Sequence, residues 1–267
     1  MAMLGKIIGG IFGFMLGWGA FGAILGIYIG HQFDRGLGGL SRPLTSAQQQ
    51  LVQESFFTTV FSLLGHVAKA DGRVSRDEIV QAEALMDKMG LDATARKKAI
   101  ELFKRGSAPS FSIDEAMNEF VSICGRYSNL KRQLLNYLIS LAMADGNLDQ
   151  AEQDVLRKVA RHLGFSAALF EQFIQMIKAQ SQFRGSQGAG SGGRTPSRDQ
   201  LADAYKALGV SSNDSDSQIK RAYRKLVSEN HPDKLIGQGM PQDMVNLATE
   251  KTQEIQAAYE LIVASRK

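Results

Sequence analysis

The sequence predicts an all-α protein hung from a single membrane-spanning helix. Three observations carry that expectation. An uncharged run occupies Ile7 to Gly30, and further on apolar residues recur at spacings of three and four. The joints between those stretches carry residues suited to starting and stopping helices.

The uncharged run is 24 residues long and as a helix would measure about 36 Å, enough to cross the hydrocarbon core of a bilayer. A cleaved signal peptide, which would leave a released periplasmic protein, needs a shorter apolar region and an A-x-A-like site. His31, Gln32, Phe33, Asp34 and Arg35 offer none, so the segment is read as a retained anchor, residues 7–30, after a tail of residues 1–6. Lys6 on one flank and Arg35 and Arg42 on the other give too small a bias to set orientation. Eight glycines lie within the run. Gly9, Gly13 and Gly17 form one small-xxx-small series and Gly22, Gly26 and Gly30 a second, and both allow close backbone approach between helices. A homodimer through the anchor is therefore expected, with one series dominant, because at about 100° per residue the two drift onto different faces.

After a juxtamembrane segment, 31–46, a helical domain is expected over 47–180. Val52, Phe56, Val60, Leu64 and Val67 form one stripe and Leu134, Leu138 and Leu141 another. Ser75 with Glu78, Ser112 with Glu115, and Asp149 with Glu152 have the spacing of a capping box or its acidic variant, and Gly90 and Gly164 look like helix stops. Cys124 falls in step with Ile113, Met117 and Phe120, which places it in a core. A lone cysteine excludes an internal disulfide framework, and four scattered histidines suggest no catalytic zinc. With 31 basic and 27 acidic residues, the net charge of +4 is too small to imply nucleic acid.

A gapless internal repeat runs through this domain. Ala68, Ala70, Asp71, Gly72, Val74, Glu78, Gly90 and Leu91 match Ala142, Ala144, Asp145, Gly146, Leu148, Glu152, Gly164 and Phe165 at an offset of 74 residues. Each copy ends a helix, turns, and opens the next with an acidic first turn that suits the helix dipole. Asp145, Asn147 and Asp149 imitate the start of a calcium loop, but Gln150 stands where the sharp turn needs glycine and Leu156 where a bidentate glutamate belongs. The repeated Ala-Asp-Gly turns resemble the TerB domain of tellurite-resistance proteins. That resemblance leaves Asp71, Glu78, Asp145 and Glu152 as weak candidates for a divalent ion, behind structural capping.

Residues 181–198, with five glycines from Gly185 to Gly193, are expected to form a flexible linker. Its root-mean-square span of roughly 25 Å would tether the last domain, 199–267, without fixing its orientation. In that domain a first stretch is expected at Leu201 to Leu208, a second helix from about Asp216 to Asn230, and a third helical stretch from near Pro241, after a loop containing Gly237 and Gly239. Ile219, Tyr223, Leu226 and Val227 face Met244, Leu247, Ala248, Ile255, Ala258, Tyr259 and Ile262 in an antiparallel pair. The opposite side of the second helix carries Lys220, Arg221, Arg224 and Lys225, and the tip carries His231, Pro232, Asp233 and Lys234.

Four ordered motifs resemble a J-domain: Ala204 to Val210, Ile219 to Leu226, His231 to Lys234, and Glu254 to Leu261. Thr252 departs from the family by replacing a usual aromatic, and the family's fourth helix is cut short or missing. The whole arrangement is similar to membrane-bound DnaJ-like co-chaperones. The resemblance implies a DnaK-type chaperone as partner, contacted by Lys220, Arg221, Arg224, Lys225, His231, Pro232, Asp233 and Lys234. It implies no catalytic residue and no cofactor in this chain, which also lacks a Gly-x-x-x-x-Gly-Lys-[Ser/Thr] phosphate loop. A cytoplasmic C-terminus at the inner membrane follows from the partner's location, and an unknown client or signalling protein is left for the TerB-like domain. The alternative is a membrane scaffold or ion-responsive adaptor acting mainly through that domain.

Overall fold

The computed structural model describes residues 44–266, except 73, 75, 144–147 and 189–197. The anchor expected at 7–30 and its two glycine series lie outside these residues, and no described helix is long and apolar enough to cross a membrane. All regular structure among the described residues is helical, as the periodicity predicts. The first group of helices is α1 (Ser46–Val67), α2 (Arg76–Met89), α3 (Ala93–Gly106), α4 (Ile113–Cys124), α5 (Ser128–Ala142), α6 (Gln150–His162) and α7 (Ala167–Gly188).

α1 runs through the centre. Val52, Phe56, Val60 and Leu64 are buried on the expected stripe, but so are Phe57, Phe61 and Leu63 on its other sides. A helix apolar all round belongs in an interior, and α3, α4 and α5 pack about it. Phe56 meets Phe120 and Tyr137 at ring-centroid distances of 6.1 and 6.3 Å. Full burial of such a side chain contributes about 1.5–3 kcal/mol. Cys124 is completely buried with its thiol 3.8 Å from Ser55 Oγ, and burial pushes the thiol up to about 11, so it packs as the spacing predicts. The α1–α3 crossing rests on two glycines. A Cβ at Gly106 would sit 1.7 Å from the Ser62 carbonyl oxygen, and one at Gly65 would sit 2.0 Å from that of Phe103.

The helix joints follow the expected chemistry. At the start of α6, Asp149 accepts from the Glu152 backbone N–H while Glu152 accepts from that of Asp149, a complete capping box. Ser112 accepts from the Glu115 N–H at α4, and Ser75 lies outside the described residues. Gly90 and Gly164, equivalent in the repeat, have φ of 72° and 82° and close their helices with the same pair of bonds. Each N–H reaches back three residues, and the next N–H reaches back five, satisfying terminal carbonyls. Leu156 is wholly buried. Among the described residues no cluster of three or more His, Cys, Asp or Glu could hold a metal, and Asp145 lies outside them.

The linker expectation needs correcting at its start. Residues 181–188 continue α7, and Phe183 is 2 % exposed within the core of the C-terminal domain. Gln180 is buried too, and its Nε2 donates to the Ala207 carbonyl at 2.9 Å. Gln- and Ser-rich composition hid a helical register that places Ile177, Gln180 and Phe183 at successive three-residue steps.

The C-terminal helices are α8 (Arg198–Ala207), α9 (Asp216–Asn230), the short α10 (Pro232–Gly237), a 3-10 turn (Gln242–Met244) and α11 (Val245–Ser265). α10 and the turn occupy what the sequence suggested was loop. Ala204, Leu208, Ile219, Ile255, Ala258 and Ile262 join Phe183 in one core, and the Tyr223 and Tyr259 rings stack at 4.2 Å. At the far end of α11 the Arg266 guanidinium donates to Tyr205 Oη, to the Ser212 and Asp214 carbonyls, and to Asp216 Oδ1, each at 2.7 or 2.8 Å. One side chain thereby ties α11 to the α8–α9 connection. The span Ser46–Lys267 forms one compact unit, within which α8 packs along α7 and α11 touches α2.

Candidate functional site

α9 is entered through a capping box: Ser215 Oγ accepts from the Gln218 N–H while Gln218 Oε1 accepts from the Ser215 N–H. That entry sets the rotation of the helix. Ile219 is buried and Tyr223, Leu226 and Val227 half-buried against α11, which leaves Lys220, Arg221, Arg224 and Lys225 exposed on the opposite side. The basic face read from the sequence is therefore a surface available to an acidic partner.

The tip follows directly. His231 has extended backbone (φ −63°, ψ 124°) and serves both as the C-terminal cap of α9 and as the N-terminal cap of α10. Pro232 stops α9 and occupies the first turn of α10, where its missing N–H costs nothing. His231 Nδ1 accepts from the Asp233 N–H at 3.2 Å, so the imidazole itself closes the first turn of α10. His231, Asp233 and Lys234 are exposed, and Lys234 Nζ donates to Ser228 Oγ at 3.0 Å. Leu235, Met240 and Met244 are completely buried beneath them and fix the tip as a folded cap.

The tip is held from behind as well. Asn230, the residue before His231, is 8 % exposed; its Nδ2 donates to the Leu226 carbonyl at 2.8 Å, and its own carbonyl accepts from Thr252 Oγ1 at 3.3 Å. Thr252 thus contributes a hydrogen bond where a ring was expected. Asn230 Oδ1 accepts from Gln133 Nε2 at 2.7 Å, and the neighbouring Glu229 pairs with Arg132, both on α5 of the other domain. All eight residues singled out between Lys220 and Lys234 fall on α9 and the cap after it. Arg132, Gln133 and Tyr137 were missed, since nothing local in the sequence marks a partner about a hundred positions away.

Residues 1–43 match the family described as Co-chaperone DjlA transmembrane domain, residues 57–175 Tellurite resistance protein TerB, and residues 203–267 the DnaJ domain. The chain is similar over nearly its whole length to curated relatives called Co-chaperone protein DjlA. That of Photobacterium profundum is 40% identical, covering 97% of this chain and 98% of its own. Those of Yersinia pseudotuberculosis and Escherichia coli O157:H7 are each 42% identical over 98% of this chain, covering 98% and 97% of their own. No solved structure matches.

Proposed function

Because the chain belongs to the DjlA co-chaperone family, we propose that its J-domain recruits a DnaK-type chaperone to the membrane and stimulates ATP hydrolysis by that partner. The chain is a J-domain co-chaperone, and the single observation that supports this use of it is the His231-Pro232-Asp233 cap, with His231 and Asp233 exposed, continuous with the basic face of α9. Lys220, Arg221, Arg224 and Lys225 steer and orient encounter through complementary charge. His231 and Asp233 then act on the partner by binding its hydrolysis-competent arrangement better than its alternatives, the only way a bound protein can shift such an equilibrium. The chemistry belongs to the chaperone. Purified full-length chain is expected to accelerate single-turnover ATP hydrolysis by a DnaK-type chaperone, and absence of acceleration overturns the reading.

The anchor at 7–30 sits at the inner membrane with the short N-terminus periplasmic and everything after Arg35 cytoplasmic, where the chaperone and its ATP are. Reporter fusions at Lys267 are expected to be active only for enzymes that work in the cytoplasm. A periplasmic alkaline phosphatase signal contradicts the assignment.

The anchor also pairs two copies through one of its glycine series, which brings two J-domains to one membrane site and raises their local concentration. Replacing Gly13 and Gly17 by leucine, or separately Gly22 and Gly26, is expected to abolish self-association of the segment in a membrane for one pair. If neither replacement reduces association, glycine packing is not the cause.

A further inference from the structure

α5 grips both feet of the cap that carries His231, Pro232 and Asp233. Gln133 and Tyr137 are four residues apart and so share one helix face. Gln133 Nε2 donates to Asn230 Oδ1, immediately before the cap. Tyr137, 4 % exposed and kept neutral because burial raises its phenol above the ordinary range, donates at 2.9 Å to the carbonyl of Met244, where the cap ends. Beside Gln133, Arg132 pairs with Glu229 in a half-buried contact whose side chains keep 29% and 18% of their exposure. Asn246 Nδ2 adds a 3.3 Å bond to the Met89 carbonyl. None of these contacts covers Lys220, Arg221, Arg224, Lys225, His231 or Asp233, all of which stay exposed. The docking therefore supports the recruiting surface rather than hiding it.

We infer that Arg132 and Gln133 of the TerB-like domain are positioning residues for the His-Pro-Asp cap, so that the bundle sets the direction in which the J-domain presents it. The inference rests on the proposed chaperone partnership. It assigns the bundle a part in stimulation that needs no ligand of its own. A J-domain on a free tether would meet its partner in many orientations, whereas one gripped at Asn230 and Met244 presents the cap in one.

The test uses the full-length chain with a DnaK-type chaperone, and reads single-turnover hydrolysis against co-chaperone concentration. Gln133→Leu and Arg132→Glu are each expected to lower the maximal stimulated rate at least threefold. The half-saturating concentration should stay within about twofold, since the basic face is unaltered. Glu229→Arg added to Arg132→Glu restores the opposite-charge pair and is expected to recover most of the loss, which a misfolded variant could not do. An unchanged maximal rate in both single variants overturns the inference, as does failure of the charge swap to recover activity. Amide hydrogen exchange of residues 231–235 provides a readout without chaperone. Faster exchange is expected in Gln133→Leu, and unchanged exchange counts against positioning. If wild type itself fails to stimulate while exchange responds as expected, the partnership is wrong and the grip is not.

Discussion

Asp233→Asn is expected to reduce stimulation of the partner's single-turnover ATP hydrolysis to its basal rate while the chain stays folded. The substitution keeps the side chain's shape and removes its charge. Asp233 is exposed, and its backbone N–H, which supplies the bond to His231 Nδ1, is untouched. The change in stability should stay within about 0.5 kcal/mol, the usual range for a surface position. His231→Gln should also abolish stimulation, but with a larger stability change, about 1 kcal/mol or less, because the imidazole caps α10. Circular dichroism and thermal melting on the same samples separate loss of function from loss of fold. Normal stimulation by a folded Asp233→Asn chain removes the cap from the mechanism.

The second large effect is expected on association. Changing Lys220, Arg221, Arg224 and Lys225 together to glutamate reverses the charge of the whole exposed face of α9. Charge complementarity acts mainly on encounter, so the association rate should fall about tenfold or more. Dissociation should change less. Wild-type binding should weaken as salt rises, since exposed charges act over about one Debye length, roughly 8 Å at physiological ionic strength. Stopped-flow or surface-binding kinetics at several salt concentrations give both numbers. Binding that ignores salt would contradict electrostatic docking. The fold should tolerate the change, since Ile219 and the Tyr223–Tyr259 stack lie on the opposite side of the helix.

Some features of this chain are legible in the sequence because their causes are local. The Asp149–Glu152 box, the stops at Gly90 and Gly164, the burial of Cys124 and the exposure of the four cations on α9 each depend on residues within a few positions of one another. What escapes a reading of the sequence depends on partners far along the chain. Gly65 and Gly106 look like weak points in two helices until the helices cross, and only then does each glycine show that no side chain fits. Arg266 near the end of the chain shows no purpose until it reaches Ser212, Asp214 and Asp216. Gln133 and Asn230 are ordinary polar residues on separate helices, and the bond between them exists only once those helices dock. The start of the linker is obscured for another reason. Composition outweighs register there, and a helix poor in apolar residues still buries the two side chains that matter.

α7 belongs to two cores at once, and this bears on how the chain comes apart. Ile174 and Ile177 are buried near its middle, while Phe183, two turns on, completes the interior formed by α8, α9 and α11. Melting either side strips the other of packing. Loss of a buried phenylalanine typically costs about 3–5 kcal/mol, a large share of the roughly 5–15 kcal/mol that holds an average domain together. Calorimetry of the span Ser46–Lys267 should therefore show one cooperative transition, and two well-separated transitions would contradict that coupling. A fragment cut at the glycine-rich stretch would keep every His-Pro-Asp residue and yet leave a ring-sized void behind Ala204 and Leu208. The covalent seam and the thermodynamic seam of this protein lie at different residues.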